Sequence, residues 1–82
     1  MPLYFFHFLH HHERIEDELG VECPDLNAAK EAAVHSVQDL VGEEVRFGDT
    51  VDTGLKVEIA NSEGHVLSLI SFTDTIRWNG KG

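Results

Sequence analysis

The stretch Gly20 to Ala33, Gly-Val-Glu-Cys-Pro-Asp-Leu-Asn-Ala-Ala-Lys-Glu-Ala-Ala, constrains the fold more than any other part of the chain. A short extended run, Val21-Glu22-Cys23, meets Pro24, whose ring disfavours helical geometry at Cys23. Asp25 then offers a side-chain oxygen to the free amides of a first helical turn. The chain therefore leaves an extended segment and enters a helix at the Pro24-Asp25 pair, with the helix starting near Leu26.

Beyond that junction, Leu26, Ala29, Ala33, Val37, Leu40 and Val41 recur at spacings of three and four and draw one apolar stripe, widened by Ala28, Ala32 and Val34. The small residues early in the stripe permit close approach to a sheet. Gly42 costs about 1 kcal/mol relative to Ala inside a helix, yet the pattern continues through Val45 and Arg46 towards Gly48.

The remaining segments read as strands. Leu3 to Leu9 is aromatic-rich, too short for a stable helix, and apolar at both parities: Tyr4, Phe6 and Phe8 on one, Leu3, Phe5 and Leu9 on the other. That is the pattern of a central strand. One face meets the helix, and the other needs a cover that a second subunit can supply. Arg14-Ile15-Glu16 pairs back as a brief strand, and Asp17 to Gly20 turns the chain into Val21-Glu22-Cys23.

After a loop from Gly48 to Gly54, Leu55, Val57 and Ile59 alternate with Lys56 and Glu58, as in a half-buried strand. Asn61-Ser62-Glu63-Gly64 supplies a turn, and Val66 to Phe72 returns. Val66, Ile70 and Phe72 share one parity while Leu67 and Leu69 share the other, so the returning strand carries a bulge or is buried on both faces. The expected architecture is α+β in the order β-β-α-β-β, an antiparallel sheet of three to four strands with one helix on one face. It forms a single domain over residues 1–82, with a core at 2–72 and a tail at 73–82 anchored through Trp78.

Composition narrows the functional classes. A chain of 82 residues buries only roughly 60–65% of its unfolded surface, so oligomerisation is a reasonable source of stability. Fifteen carboxylates against six Lys and Arg give a formal charge of -9, which repels phosphate backbones and argues against nucleic acid as a partner. The same acidity favours a basic protein partner. Cys23 is the sole cysteine and forms no internal disulfide. No apolar run is long enough for a bilayer span, and the start lacks the basic segment and cleavage site of a secretory signal, so the expected address is cytoplasmic with no membrane partner.

Pro-x-Tyr-Phe-Phe at residues 2–6, Gly-Val-Glu-x-Pro-Asp-Leu at 20–26, Ala28-Ala29 and Glu31-Ala32, and the strand-turn-strand of 55–72 together resemble a family of short bacterial proteins classed as a domain of unknown function. The resemblance spans residues 2–72. Two departures stand out: a histidine-rich turn replaces what is commonly an Asp-Gly type turn, and Cys23 occupies a position where an aliphatic residue is usual. The resemblance implies a fold and no activity.

Candidate chemistry is sparse. His7, His10, His11 and His12 crowd together, and imidazoles bind zinc, nickel or copper when two or more converge. On a strand His10 and His12 face one way and His11 the other, so a preformed site needs the turn to gather them. His7, His10 and His12 are the candidate ligands, with Glu13 or Asp17 as a further carboxylate. The competing reading is a solvated turn, and no cofactor is expected. Histidines also ordinarily gain charge near pH 6.5, which makes a pH response chemically available.

Glu31, His35 and Asp39 follow helical ion-pair spacing opposite the apolar stripe, and a metal shared between two chains is the sharper alternative. Cys23 precedes a helix start, where a thiol can be activated, but also suits a small buried hydrophobe. Pro2 is the enzymatic candidate. Loss of Met1 would expose a secondary amine able to act as general base, as in small proteins of the tautomerase superfamily, with Arg14, Arg46 or Arg77 as a substrate clamp. Those proteins resemble a short strand leading quickly into a helix, which this chain does not have.

No nucleotide-binding glycine motif, paired Cys-x-x-Cys or Ser-His-Asp context accompanies these residues. The sequence points to a small self-associating interaction or regulatory module, with Tyr4, Phe6 and Phe8 as the contact surface. In a more specific form it is loosely similar to the antitoxin family that neutralises small RNA-cleaving toxins. Tautomerase-like chemistry and metal-linked sensing are the alternatives.

Overall fold

In a computed structural model that describes residues 1–48 and 51–73, strands β1 (Leu3–His10), β2 (Glu13–Ile15) and β3 (Val21–Glu22) precede one helix, α1 (Leu26–Arg46), which is followed by β4 (Lys56–Ala60) and β5 (Val66–Ser71). The sheet is antiparallel in the order β2-β1-β4-β5, and β3 pairs with the start of β1 beyond β2. The α+β architecture read from the sequence holds. The brief strand read at Arg14-Ile15-Glu16 falls at β2 and the extended run at Val21-Glu22-Cys23 at β3, both pairing with β1, with the expected turn between them.

The gap between β2 and β3 along β1 is filled by one side chain. β2 reaches as far as Phe8 through Ile15, and β3 resumes at Tyr4 through Val21. Between them Oδ2 of Asp17 accepts the Phe6 N–H at 3.2 Å, and His7 Nδ1 accepts the Asp17 N–H at 3.1 Å. Oδ1 of the same carboxylate accepts from Leu19 and Gly20. Asp17 thus stands in for the missing strand residue, since an unpaired backbone donor beside a central strand is costly. Gly20 has φ +80°, and a Cβ there would lie 3.0 Å from the Phe5 ring, so glycine answers both conformation and space.

The helix start follows the junction chemistry. Asp25 is extended, and its Oδ1 accepts the Ala28 N–H at 2.8 Å. At the other end Phe47 donates to the Glu43 carbonyl, and Gly48 adopts φ +77° as the left-handed residue that stops the helix. Gly42 does not interrupt α1, in line with the continuation read from the sequence.

Ala29, Ala33, Val34 and Val37 pack against Leu55, Val57, Ile59 and Ile70, with Tyr4, Phe6 and Cys23 completing the core. The pairs Phe6–Ile59 and Phe8–Val57 put these side chains on the helix-covered face. This relocates the expected contact surface. Tyr4 is 8% and Phe6 7% exposed, and Phe8 packs against the core, because the helix covers their parity. The other parity remains uncovered among the described residues: Leu3, Phe5, His7 and Leu9 from β1, and Leu69 opposite Glu58 from β5. A register shift at Ile59/Ala60 leaves Leu67 as the extra residue of a bulge, which accounts for the mixed parity of β5. Trp78 and most of the tail lie outside the described residues.

Candidate functional site

The β1–β2 hairpin closes through only His11 and His12, both with positive φ, 51° and 67°. A two-residue turn of this kind matches the twist of the strands but favours Asn-Gly or Asp-Gly. Histidine is better tolerated there than most residues, though a left-handed conformation still costs an L-residue about 1–2 kcal/mol. Because the turn begins at His11, strand alternation ends there. His10 and His11 therefore reach the same side.

Their meeting point is Glu44, near the end of α1. Its Oε2 lies 2.8 Å from His10 Nε2 and 3.1 Å from His11 Nε2, with the imidazole N–H groups donating. The two rings sit 4.1 Å apart between centroids. The Glu44 side chain is 9% exposed, and its Oε1 is buried with no hydrogen-bond partner. Burial pushes the Glu44 carboxyl up, but the hydrogen bonds from His10 and His11 outweigh it and hold the group below the usual carboxylate range. Asp52 braces the turn from outside: Oδ2 accepts the His11 N–H at 2.8 Å, and Oδ1 accepts from Gly54. These backbone hydrogen bonds hold the Asp52 carboxyl low despite some burial.

Among the described residues, His10, His11 and Glu44 offer three ligand atoms within 4.8 Å of one another. Of the sequence candidates, only His10 belongs to this group. His7 is engaged by Asp17 on the opposite sheet face, and His12 is an exposed turn residue lining a cleft with Leu9, Asp52, Gly54 and Lys56. The carboxylate is Glu44 rather than Glu13 or Asp17. It is legible in one respect: extending the apolar stripe by three from Val41, or four from Leu40, lands on Glu44, a charged residue on the core-facing side.

The other candidates fall elsewhere. Pro2 is exposed at the far end of β1, and its carbonyl accepts the Cys23 N–H. Cys23 is buried in the core, as its small-hydrophobe reading expects. Arg14 is held by Glu58 and Glu16, Arg46 lies over the Phe47 ring, and Arg77 is outside the described residues. Glu31, His35 and Asp39 are exposed on the solvent side of α1.

Fold and site define a small α+β protein whose hairpin tip is clamped to the end of its helix. The sequence profile of the family described as "Domain of unknown function (DUF6894)" matches residues 3–73, and the chain belongs to that family. No curated protein and no solved structure matches it. No helix among the described residues is long and apolar enough to cross a membrane.

Proposed function

We propose that this protein is a non-enzymatic interaction module that associates with a second copy of itself through the sheet face opposite α1. The observation that carries this reading is the apolar set left uncovered on that face and on β5: Leu3, Phe5, Leu9, Leu67 and Leu69, with Leu67 41% and Leu69 49% exposed. Exposed apolar side chains gathered on one face mark contact sites in soluble domains.

Charge supports a like partner. The chain as a whole is strongly acidic, which would keep copies apart, but the uncovered face carries Arg14 and Lys56 together with Glu58 and Glu22. Arg14 is paired with Glu58 at 2.7 Å. This face therefore carries charges of both signs, and a two-fold arrangement would bury the same side chains from each. A basic partner would instead be steered to the acidic helix surface around Glu31, Asp39 and Glu43. Sedimentation equilibrium of the full chain tests the reading: a dimer is expected, and Leu69→Glu should return it to a monomer with unchanged circular dichroism. A wild-type chain that stays monomeric at high micromolar concentration would sink it.

A further inference from the structure

We infer that His10, His11 and Glu44 form a binding site for a divalent transition-metal ion of the zinc class, pinning the hairpin tip to the C-terminal part of α1. Two imidazole nitrogens and one carboxylate are a donor set that zinc accepts, with a fourth position left for water or an incoming ligand. Tetrahedral ligands at zinc distances stand about 3.3 Å apart. The two nitrogens already lie 2.8 and 3.1 Å from the shared oxygen, so small side-chain rotations open room for the ion.

Three independent features favour a metal over a plain hydrogen-bonded clamp. Both histidines give Nε2 to one oxygen while the second oxygen, Oε1, is buried and receives nothing. Buried polar atoms are seldom left so, and a cation gripped by the carboxylate satisfies both oxygens. The hairpin also places a ligand histidine, His11, in a left-handed conformation with φ 51°, where Asn or Gly would be cheaper. Backbone strain of this sort persists where it positions a functional group. Finally, Asp52 anchors the His11 backbone at 2.8 Å, giving the ligand a fixed support outside the donor set. On binding, each imidazole moves its proton from Nε2 to Nδ1, which frees the Nε2 lone pair for the ion.

The test is calorimetric titration of the chelator-stripped full chain with zinc chloride, paired with cobalt(II) absorption. One ion per chain is expected, with cobalt giving the intense visible bands of a tetrahedral site. His11→Ala, an exposed turn position, and Glu44→Gln, nearly isosteric, should each weaken binding about 10-fold or more, because even outer-sphere partners are worth on the order of 10–100-fold. His12→Ala and His65→Ala should leave it unchanged. Weak uptake without a defined stoichiometry, or uptake indifferent to His11→Ala and Glu44→Gln in chains that remain folded, would overturn the assignment. Titration of the monomeric Leu69→Glu variant separates this site from the self-association reading: uptake of one ion per chain is expected there too, and its loss there would contradict a site contained in one chain.

Discussion

Asp17 Oδ2 accepts the backbone N–H of Phe6 at 3.2 Å, so a side chain completes the sheet edge where β2 has ended and β3 has not begun. The same carboxylate holds the Leu19 and Gly20 amides, which fixes the turn that delivers the chain to the helix start. Asp17→Ala leaves the Phe6 donor of β1 unpaired. A loss of about 1–3 kcal/mol is expected, seen as a drop of about 4–8 °C in Tm for each kcal/mol in a domain of this size. An unchanged melting curve would show that water replaces the carboxylate freely.

The same residue sets a pH dependence. Partial burial raises the Asp17 carboxyl, but the amides of Gly20, Phe6 and Leu19, with His7 nearby, together hold it below the usual range. A carboxyl more acidic in the folded than in the unfolded chain contributes its full stability above the unfolded pKa and loses it as pH falls through the folded value. Denaturation midpoints of the wild type should therefore fall on acidification through and below the ordinary carboxylate range, and Asp17→Asn should flatten that fall. Equal slopes for the two proteins would assign the acid sensitivity to other carboxylates.

Gly42 lies inside α1, exposed, and a Cβ added there would meet nothing within 4 Å. Gly42→Ala should raise stability by about 0.5–1 kcal/mol in chemical denaturation, through helix propensity and a less flexible unfolded chain. No gain would mean that the local backbone departs from regular helix geometry.

The hairpin tip carries the opposite trade. His12 has φ 67° and is not one of the three converging ligands. His12→Gly should relieve its left-handed strain and gain up to about 1 kcal/mol, partly offset by the entropy of the glycine. Thermal melts should show this without loss of the β1–β2 pairing in amide exchange. A destabilised variant would mean that His12 makes contacts worth more than its strain.

Much of this architecture is written locally. Pro24 and Asp25 act on their immediate neighbours, the apolar stripe from Leu26 to Val41 names the buried face of α1, and the parity change along Val66 to Leu69 leaves a bulge or burial on both faces, of which the register shift at Ile59/Ala60 selects the bulge. Residues that meet only through tertiary register are harder to read. Leu3 to Leu9 is apolar at both parities, and its alternation cannot say which one the helix will cover; the packing of Val34 and Val37 over Ile59 decides it for Tyr4 and Phe6. Asp17 as a replacement for strand pairing depends on where β2 ends and β3 begins. Glu44 is legible as a carboxylate on the core stripe, but its histidines come from a hairpin tip far away in sequence. Strand alternation, extended into the turn, points His11 away from His10; the two-residue turn brings it back.

The proposed self-association places a second copy on the face that bears Leu69. Sedimentation equilibrium across a concentration series measures this most directly. The expected result is a reversible monomer–dimer equilibrium for the wild type that Leu69→Glu abolishes while the chain stays folded. A wild-type chain that remains monomeric throughout, or a dimer indifferent to Leu69→Glu, would contradict it.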